Sequence, residues 1–328
     1  MLRYTLDGRE PDTDSMLFTG TVHLTTSQVI RVRAFKPGWM PSPILTRTYL
    51  IDEPMAIRHV PVVALAGDPG RALFQPEGVT SIVGGSWTNG LWVPDSTEDY
   101  NLPVKRGRSQ ERPVSFEVLN VAGHDGYQND AGIRIAGSSR TRSRYVLNDL
   151  DGLWRELYIH RASFNLYFRN LYGDDRFECP LMAIDPDLET DSLRLRSGNN
   201  DAKAPFITDE MMRRLQRAMG QPGSPGTLAT LVVNGRFKGY YNPVVRLTEA
   251  YFQAEENSEE AWDVMNHAGV AHGDSWIWNA AWGYSIFRNL SDVTHYLHVA
   301  SMVDIDNFID YLMLNIYAGT GDWPYNNY

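Results

Sequence analysis

Leu228-Ala-Thr-Leu-Val-Val233, Asn234-Gly235 and Phe237-Lys-Gly-Tyr-Tyr-Asn242 form the stretch from which the fold is read. Asn-Gly supplies the two positive-φ residues of a tight two-residue turn. β-branched and aromatic residues flank it, so the segment reads as a β-hairpin. Further runs alternate in the same way upstream. Arg112-Pro-Val-Ser-Phe-Glu-Val-Leu119, Gly132-Ile-Arg-Ile-Ala-Gly137, Ala162-Ser-Phe-Asn-Leu-Tyr-Phe-Arg169 and Ser192-Leu-Arg-Leu-Arg-Ser197 each put apolar side chains on one face. Val60-Pro-Val-Val-Ala-Leu65 is a short apolar strand. Residues 67 to 113 are rich in Gly, Pro, Asp and Asn and read as loop with short strands. Thr141 to Ile159, polar and charged, reads as an excursion from the sheet.

Helical signals lie mostly downstream. Thr208 to Met219 has a cap at Thr208, Asp209 and Glu210 at the positive end, and a stripe of Met211, Met212, Leu215 and Met219; Gly220 and Pro222 end it. Ser258 to Asn266 and Asp274 to Leu290 read as helical. Trp278 and Trp282, one turn apart, are expected in the core. In Ser301 to Tyr317, Ser301 is the expected cap with Asp304 at N3. Phe308, Ile309, Leu312, Met313 and Ile316 make a broad apolar face, and Gly319 stands at the exit.

Composition narrows the function classes. The chain has 328 residues, enough for two domains or one large one with an appendage. At 43% hydrophobic and 21% charged it is globular in type. A net charge of −10 argues against a nucleic-acid partner, which needs a basic face. No apolar run is long enough to span a membrane, and no signal peptide is visible. The single Cys179 excludes an internal disulfide framework and a Cys-based zinc site; it reads as a buried, apolar-like residue.

Residues 1 to about 50 read as all-β, with Tyr4-Thr-Leu6 entering an Asp7-Gly8 turn and Gln28 to Phe35 alternating around Ile30, Val32 and Ala34. Tyr4-Thr-Leu-Asp-Gly-Arg-Glu-Pro11, Ser15, Ile30-Arg-Val-Arg-Ala-Phe35, Gly38, Pro41-Ser42 and Thr48-Tyr49 together resemble the chitobiase/β-hexosaminidase C-terminal-type β-sandwich module. The resemblance implies an accessory module of secreted bacterial proteins with no chemistry of its own. A carbohydrate partner through this module is one expectation, and a bacterial extracellular or envelope location another.

Candidate chemistry is sparse. Walker-type G-x-x-x-x-G-K-[ST] and G-x-S-x-G motifs are both missing. His295 and His298 have no carboxylate at metal spacing and read as structural or solvated. Ser138-Ser139-Arg140, a small-residue turn after a strand, could cradle a phosphate through backbone N–H groups and the guanidinium; a plain polar turn is the alternative. Asp322 and Asn327, after the last helix, have the Asp-x-x-x-x-Asn spacing of a kinase catalytic loop, or of an ordinary turn.

An ordered set of segments resembles the CotH kinase family, atypical protein kinases related to a bacterial spore-coat protein. They are Arg112 to Glu117, Ala131 to Arg140, Ser163 to Arg169 with Tyr172-Gly173, Leu193 to Asp201, Val233 to Asn242, and Val303 to Tyr311 leading into Gly321 to Asn327. The resemblance implies an α+β fold: a two-lobed atypical protein-kinase-like domain over 53–328, cut off after the catalytic loop, preceded by a small β-sandwich over 1–52. It also implies ATP with Mg or Mn, and transfer of the γ-phosphoryl group to Ser or Thr of a partner coat or surface protein. Asp322 then matches the catalytic aspartate and Asn327 the metal-binding asparagine. Arg161 stands where the family's phosphate-facing Lys stands, and Ser138, Ser139 and Arg140 join it as cofactor-binding residues. Val245-Arg246 replaces a common Glu-Arg. The family's second metal-binding Asp lies in a W-D-x-D-like strand not reached by Tyr328, so the sequence is expected to be an internal fragment, inactive on its own. The alternative expectation is a non-catalytic pseudokinase or surface scaffold.

Overall fold

The structure is a computed structural model that describes residues 1–74, 76–81, 86–88, 91–93, 105–121, 126–137, 161–177, 181, 189–198, 207–266, 269–321 and 323–324. The chain divides into two compact units, one of residues 1–203 with 226–244, the other of 204–225 with 245–328.

The first unit starts with four antiparallel strands, β1 (Leu2–Thr5), β2 (Met16–Leu17), β3 (Gln28–Ala34) and β4 (Leu45–Tyr49), in the order β2-β1-β3-β4. Where the sequence reading expects a sandwich, the described residues make a single sheet. A module of this size has too little core to stand alone. It packs instead on the strands that follow the short helix α1 (Met55–Arg58). Leu50 lies on Val62, Ala64 and Val232. Thr48 donates from both its backbone N–H (3.2 Å) and its hydroxyl (2.6 Å) to the Glu117 carboxylate.

Those following strands are β5 (Val62–Ala66), β6 (Ser86–Thr88), β7 (Leu91–Val93), β8 (Arg112–Leu119), β9 (Tyr127–Ala136), β10 (Ser163–Phe168), β11 (Ser192–Arg196), β12 (Ala229–Val233) and β13 (Arg236–Val245). Among the described residues β6 and β7 make a two-stranded sheet of their own; the other seven close into a barrel ordered β10-β11-β13-β12-β5-β8-β9. Closure comes from β9 pairing antiparallel with β10, and β12 runs parallel to β5. Barrel closure removes exposed strand edges. β5 is buried at all five positions because one face meets the barrel interior and the other the module. Inside, Phe116 makes edge contacts with Phe168 (5.6 Å between centroids) and Phe177 (5.5 Å).

This architecture corrects the expected fold class. The residues read as a kinase-like lobe form a closed, mostly antiparallel barrel, and no two-lobed kinase-like α+β domain is present among the described residues. The physical reason is the non-local pairings: β5 with β12, and β9 with β10 across the long excursion.

The second unit holds α2 (Thr208–Ala218), α3 (Glu249–Glu255), a hairpin of β14 (Val264–Asn266) and β15 (Gly269–His272), α4 (Trp276–Phe287), α5 (Val293–Ala300) and α6 (Ile305–Ala318). Residues 258–266 are not a helix: the run ends in β14, and Trp262, two residues before that strand, stacks on Phe252 at 5.1 Å. Thr208 is the first helical residue rather than the cap, a position taken by Ile207. α6 starts later than its pattern suggests, with Asp304 rather than Ser301 as cap, accepting from the Asn307 N–H; residues 293–300 form a separate helix. Its last turn closes on Gly319 in the left-handed region.

α2 is tied down by charge. Arg213 and Arg214 both reach the buried Glu210 carboxylate at 2.7 Å. Arg217 meets Glu255 at 3.3 Å and the Tyr251 hydroxyl at 3.1 Å. Asn307 on α6 donates to Gln221, which in turn donates to Asp310, both at 2.6 Å. Trp278 and Trp282 stack on each other at 6.5 Å but are 49% and 60% exposed, so they are not core residues. His295 is structural in kind, sharing a hydrogen bond of 2.9 Å with the Tyr284 hydroxyl. No helix among the described residues is long and apolar enough to cross a membrane.

Candidate functional site

Three neighbouring barrel strands carry a polar row on one face. Asn165 on β10 is the register partner of Arg134 on β9 and of Arg194 on β11. Directly paired residues share a face of the sheet, so alternation alone brings the three side chains together. Arg194 donates from Nε to Asn165 Oδ1 at 3.0 Å. One step along, the Tyr167 ring has the Arg134 guanidinium 3.9 Å from its centroid and that of Arg169 at 5.0 Å. Beneath them the buried Glu111 carboxylate pairs with Arg134 (3.4 Å) and Arg169 (3.1 Å). The Arg134 contact is an ion pair without hydrogen-bond geometry. Gly132 makes room for this carboxylate: a Cβ there would lie 2.5 Å from Glu111 Oε1.

A cleft of about 170 Å³ opens beside the row, and Lys105, Arg106, Arg112 and Arg134 line it together with Asn165 and Tyr167. Arg112 is held in place by the carbonyls of Glu77, Ser109 and Glu111. Four cationic side chains at one small cleft, in a chain of net charge −10, make a local positive field. Its size is below that of a drug-sized pocket and suits a single phosphate or carboxylate group. Guanidinium groups offer paired N–H donors for such an anion, and the Asn165 amide adds a neutral one.

Asp322 and Asn327, and Ser138, Ser139 and Arg140, lie outside the described residues, as do Cys179 and the excursion Thr141 to Ile159. Arg161 is described. It precedes β10 and turns away from the cleft toward β13, donating to the Tyr240 carbonyl at 3.0 Å, with the Tyr241 ring at 5.8 Å. Burial lowers its pKa from the ordinary arginine value. The sequence reading did not single out Lys105, Arg106, Arg112, Arg134 or Asn165 as site residues. The available signal was Arg at the polar positions of two alternating strands, Ile-Arg134-Ile and Leu-Arg194-Leu; what hides it is the register that sets them about Asn165. Among the described residues no group of three His, Cys, Asp or Glu could hold a metal ion.

A second, larger cleft of about 710 Å³ lies between the N-terminal sheet and the β12–β13 hairpin. The hairpin tip seats it. Asn234 clasps Gly67 by donating to its carbonyl (2.9 Å) and accepting from its N–H (3.0 Å). A Cβ on Gly8 would lie 2.3 Å from the Asn234 amide, and one on Gly235 2.6 Å from Gln28 Cα.

Residues 2–46 match the family model of the chitobiase/beta-hexosaminidase C-terminal domain. The match coincides with the four-stranded module and goes no further along the chain. No curated protein is significantly similar to the sequence.

Proposed function

We propose that the barrel unit is the phosphate-handling part of a CotH-type phosphotransferase that moves the γ-phosphoryl group of ATP to Ser or Thr of a partner coat or surface protein. The observation that carries this reading is the cationic cleft at Lys105, Arg106, Arg112 and Arg134. The ordered segments resembling the family support it, since those at 112–117, 131–140 and 163–169 overlap β8, β9 and β10, the strands that line the cleft. A kinase-like two-lobed fold is no part of the reading. In it, the cleft cations and Asn165 hold a phosphate group, and the family resemblance adds Ser138, Ser139 and Arg140 as cofactor-binding residues; Arg161, turned toward β13, is no part of it. The family resemblance, apart from the cleft, assigns the proton of the acceptor hydroxyl to Asp322 and the divalent ion, Mg or Mn, to Asn327. Bound ATP with that ion supplies the transferable group and neutralises its charge.

The test is a thermal melt of the full chain with ATP and magnesium, and with pyrophosphate alone. Both should raise the midpoint, and Arg134→Ala should abolish the rise. Transfer of label to candidate envelope proteins should then disappear in Asp322→Ala. No shift with either ligand overturns the reading.

A second reading, a non-catalytic surface scaffold, is favoured by the fixed seating of the module on the barrel. It expects no response to nucleotide at all.

A further inference from the structure

The cleft between the module and the hairpin has chemistry of a different kind, and it carries an inference independent of phosphotransfer. One wall is the β1–β2 loop, with the carboxylates of Asp7, Glu10, Asp12 and Asp14. The facing wall is the hairpin, with Asn234, Arg236 and Lys238, the last only 1% exposed. Tyr4 and the half-buried Phe74 add aromatic surface. Parts of the acidic wall are already neutralised. Asp7 pairs with Arg9 at 2.7 Å, and Asp12 accepts from the Asp14 N–H and the Ser15 hydroxyl, which hold its carboxyl below the usual range.

An anion would face the acidic wall and a cation the basic one, each at a cost. An apolar ligand would strip water from both walls and leave their donors and acceptors unmatched. A ligand whose every polar group both donates and accepts satisfies both walls. Hydroxyls do this, and the apolar faces of a sugar ring can lie on Tyr4 and Phe74. We propose that this cleft binds a neutral oligosaccharide, gripped between the carboxylates of the β1–β2 loop and the exposed Arg236 of the hairpin. The cleft holds its shape because the Gly8–Asn234 and Gly235–Gln28 contacts lock the walls together. The ligand therefore meets a preformed site and orders little on binding.

The experiment is calorimetric titration of the full chain with cellohexaose, maltohexaose and an N-acetylated hexasaccharide, at low and at high salt. At least one sugar should bind saturably at millimolar concentration, with affinity insensitive to salt. Tyr4→Ala should weaken it at least about tenfold. Glu10→Gln, on an exposed loop where folding is not at stake, should weaken it by about threefold or more, the loss of one charge-assisted hydrogen bond. Arg134→Ala should leave it unchanged, which separates this cleft from the phosphate site. Absence of binding by all three sugars overturns the proposal, as does sugar binding indifferent to Glu10→Gln and Tyr4→Ala. Salt-quenched binding of a zwitterionic Lys-Glu peptide in their place also overturns it, by identifying a peptide site.

Discussion

Gly235→Ala probes the contact that joins the module to the barrel. Gly235 has φ +79, and Asn234 before it φ +49, as a tight hairpin turn requires. An alanine there costs about 1–2 kcal/mol for the left-handed backbone alone. Its Cβ would also come within 2.6 Å of Gln28 Cα, 2.9 Å of Gln28 C and 3.0 Å of Val29 N. These are backbone atoms of β3, whose Val29 is fully buried, so the neighbour cannot swing aside. Overpacking of this kind adds about 1–3 kcal/mol. The expected total is about 2–5 kcal/mol, the sum of those two costs. Gly38→Ala is the control: its φ is +77, but nothing lies within 4 Å of the added Cβ, so it carries the conformational cost only. Urea denaturation of both variants, followed by tryptophan fluorescence and far-UV circular dichroism, measures the difference. Equal losses would mean that the hairpin tip is not pressed against β3, and the seating of the module would have to be abandoned.

Two more perturbations test the same unit. Burial raises the Glu117 pKa, with the Thr48 hydrogen bonds and Arg47 acting in the opposite direction. The folded state thus holds that proton more tightly than the unfolded chain. The resulting destabilisation is absent below the unfolded pKa, grows as pH rises toward the folded value, and is constant above it. Glu117→Gln should accordingly gain stability relative to wild type as pH rises above the ordinary glutamate range; parallel stability curves would contradict this. Phe116→Ala, at a fully buried ring touching Phe168 and Phe177, should cost about 3–5 kcal/mol by the same denaturation assay; a loss below about 1 kcal/mol would mean that these rings are not the barrel core.

The strands were legible because each announces itself locally. The hairpin at Asn234-Gly235, the alternation in β8 and β10, and the apolar run of β5 all emerge where their patterns place them. Closure is a different kind of fact. β12 pairs in parallel with β5 across more than 160 residues, and the contact is specified by the shapes of two buried faces rather than by any local pattern. The same run of Val and Ala would serve a kinase-like lobe or a barrel equally well. Trp278 and Trp282 show the complementary limit. One-turn spacing says that they lie on the same helix face, and they do; it does not say what that face meets.

The candidate site repeats the lesson at the scale of single residues. A motif reading looks for consecutive residues, and so it selected Ser138-Ser139-Arg140 and Asp322 to Asn327. The cationic row arises from residues 134, 165 and 194, spread over 60 positions and united only by register. Shifting β10 by one residue would turn Asn165 into the barrel and Leu166 outward, dissolving the row. What pins the register is the interior: Phe164, Leu166 and Phe168 pair with Ile135, Ile133 and Ala131, all buried. The apolar core therefore determines where the charges stand, and the polar row exists because the opposite face of the same strands must be packed.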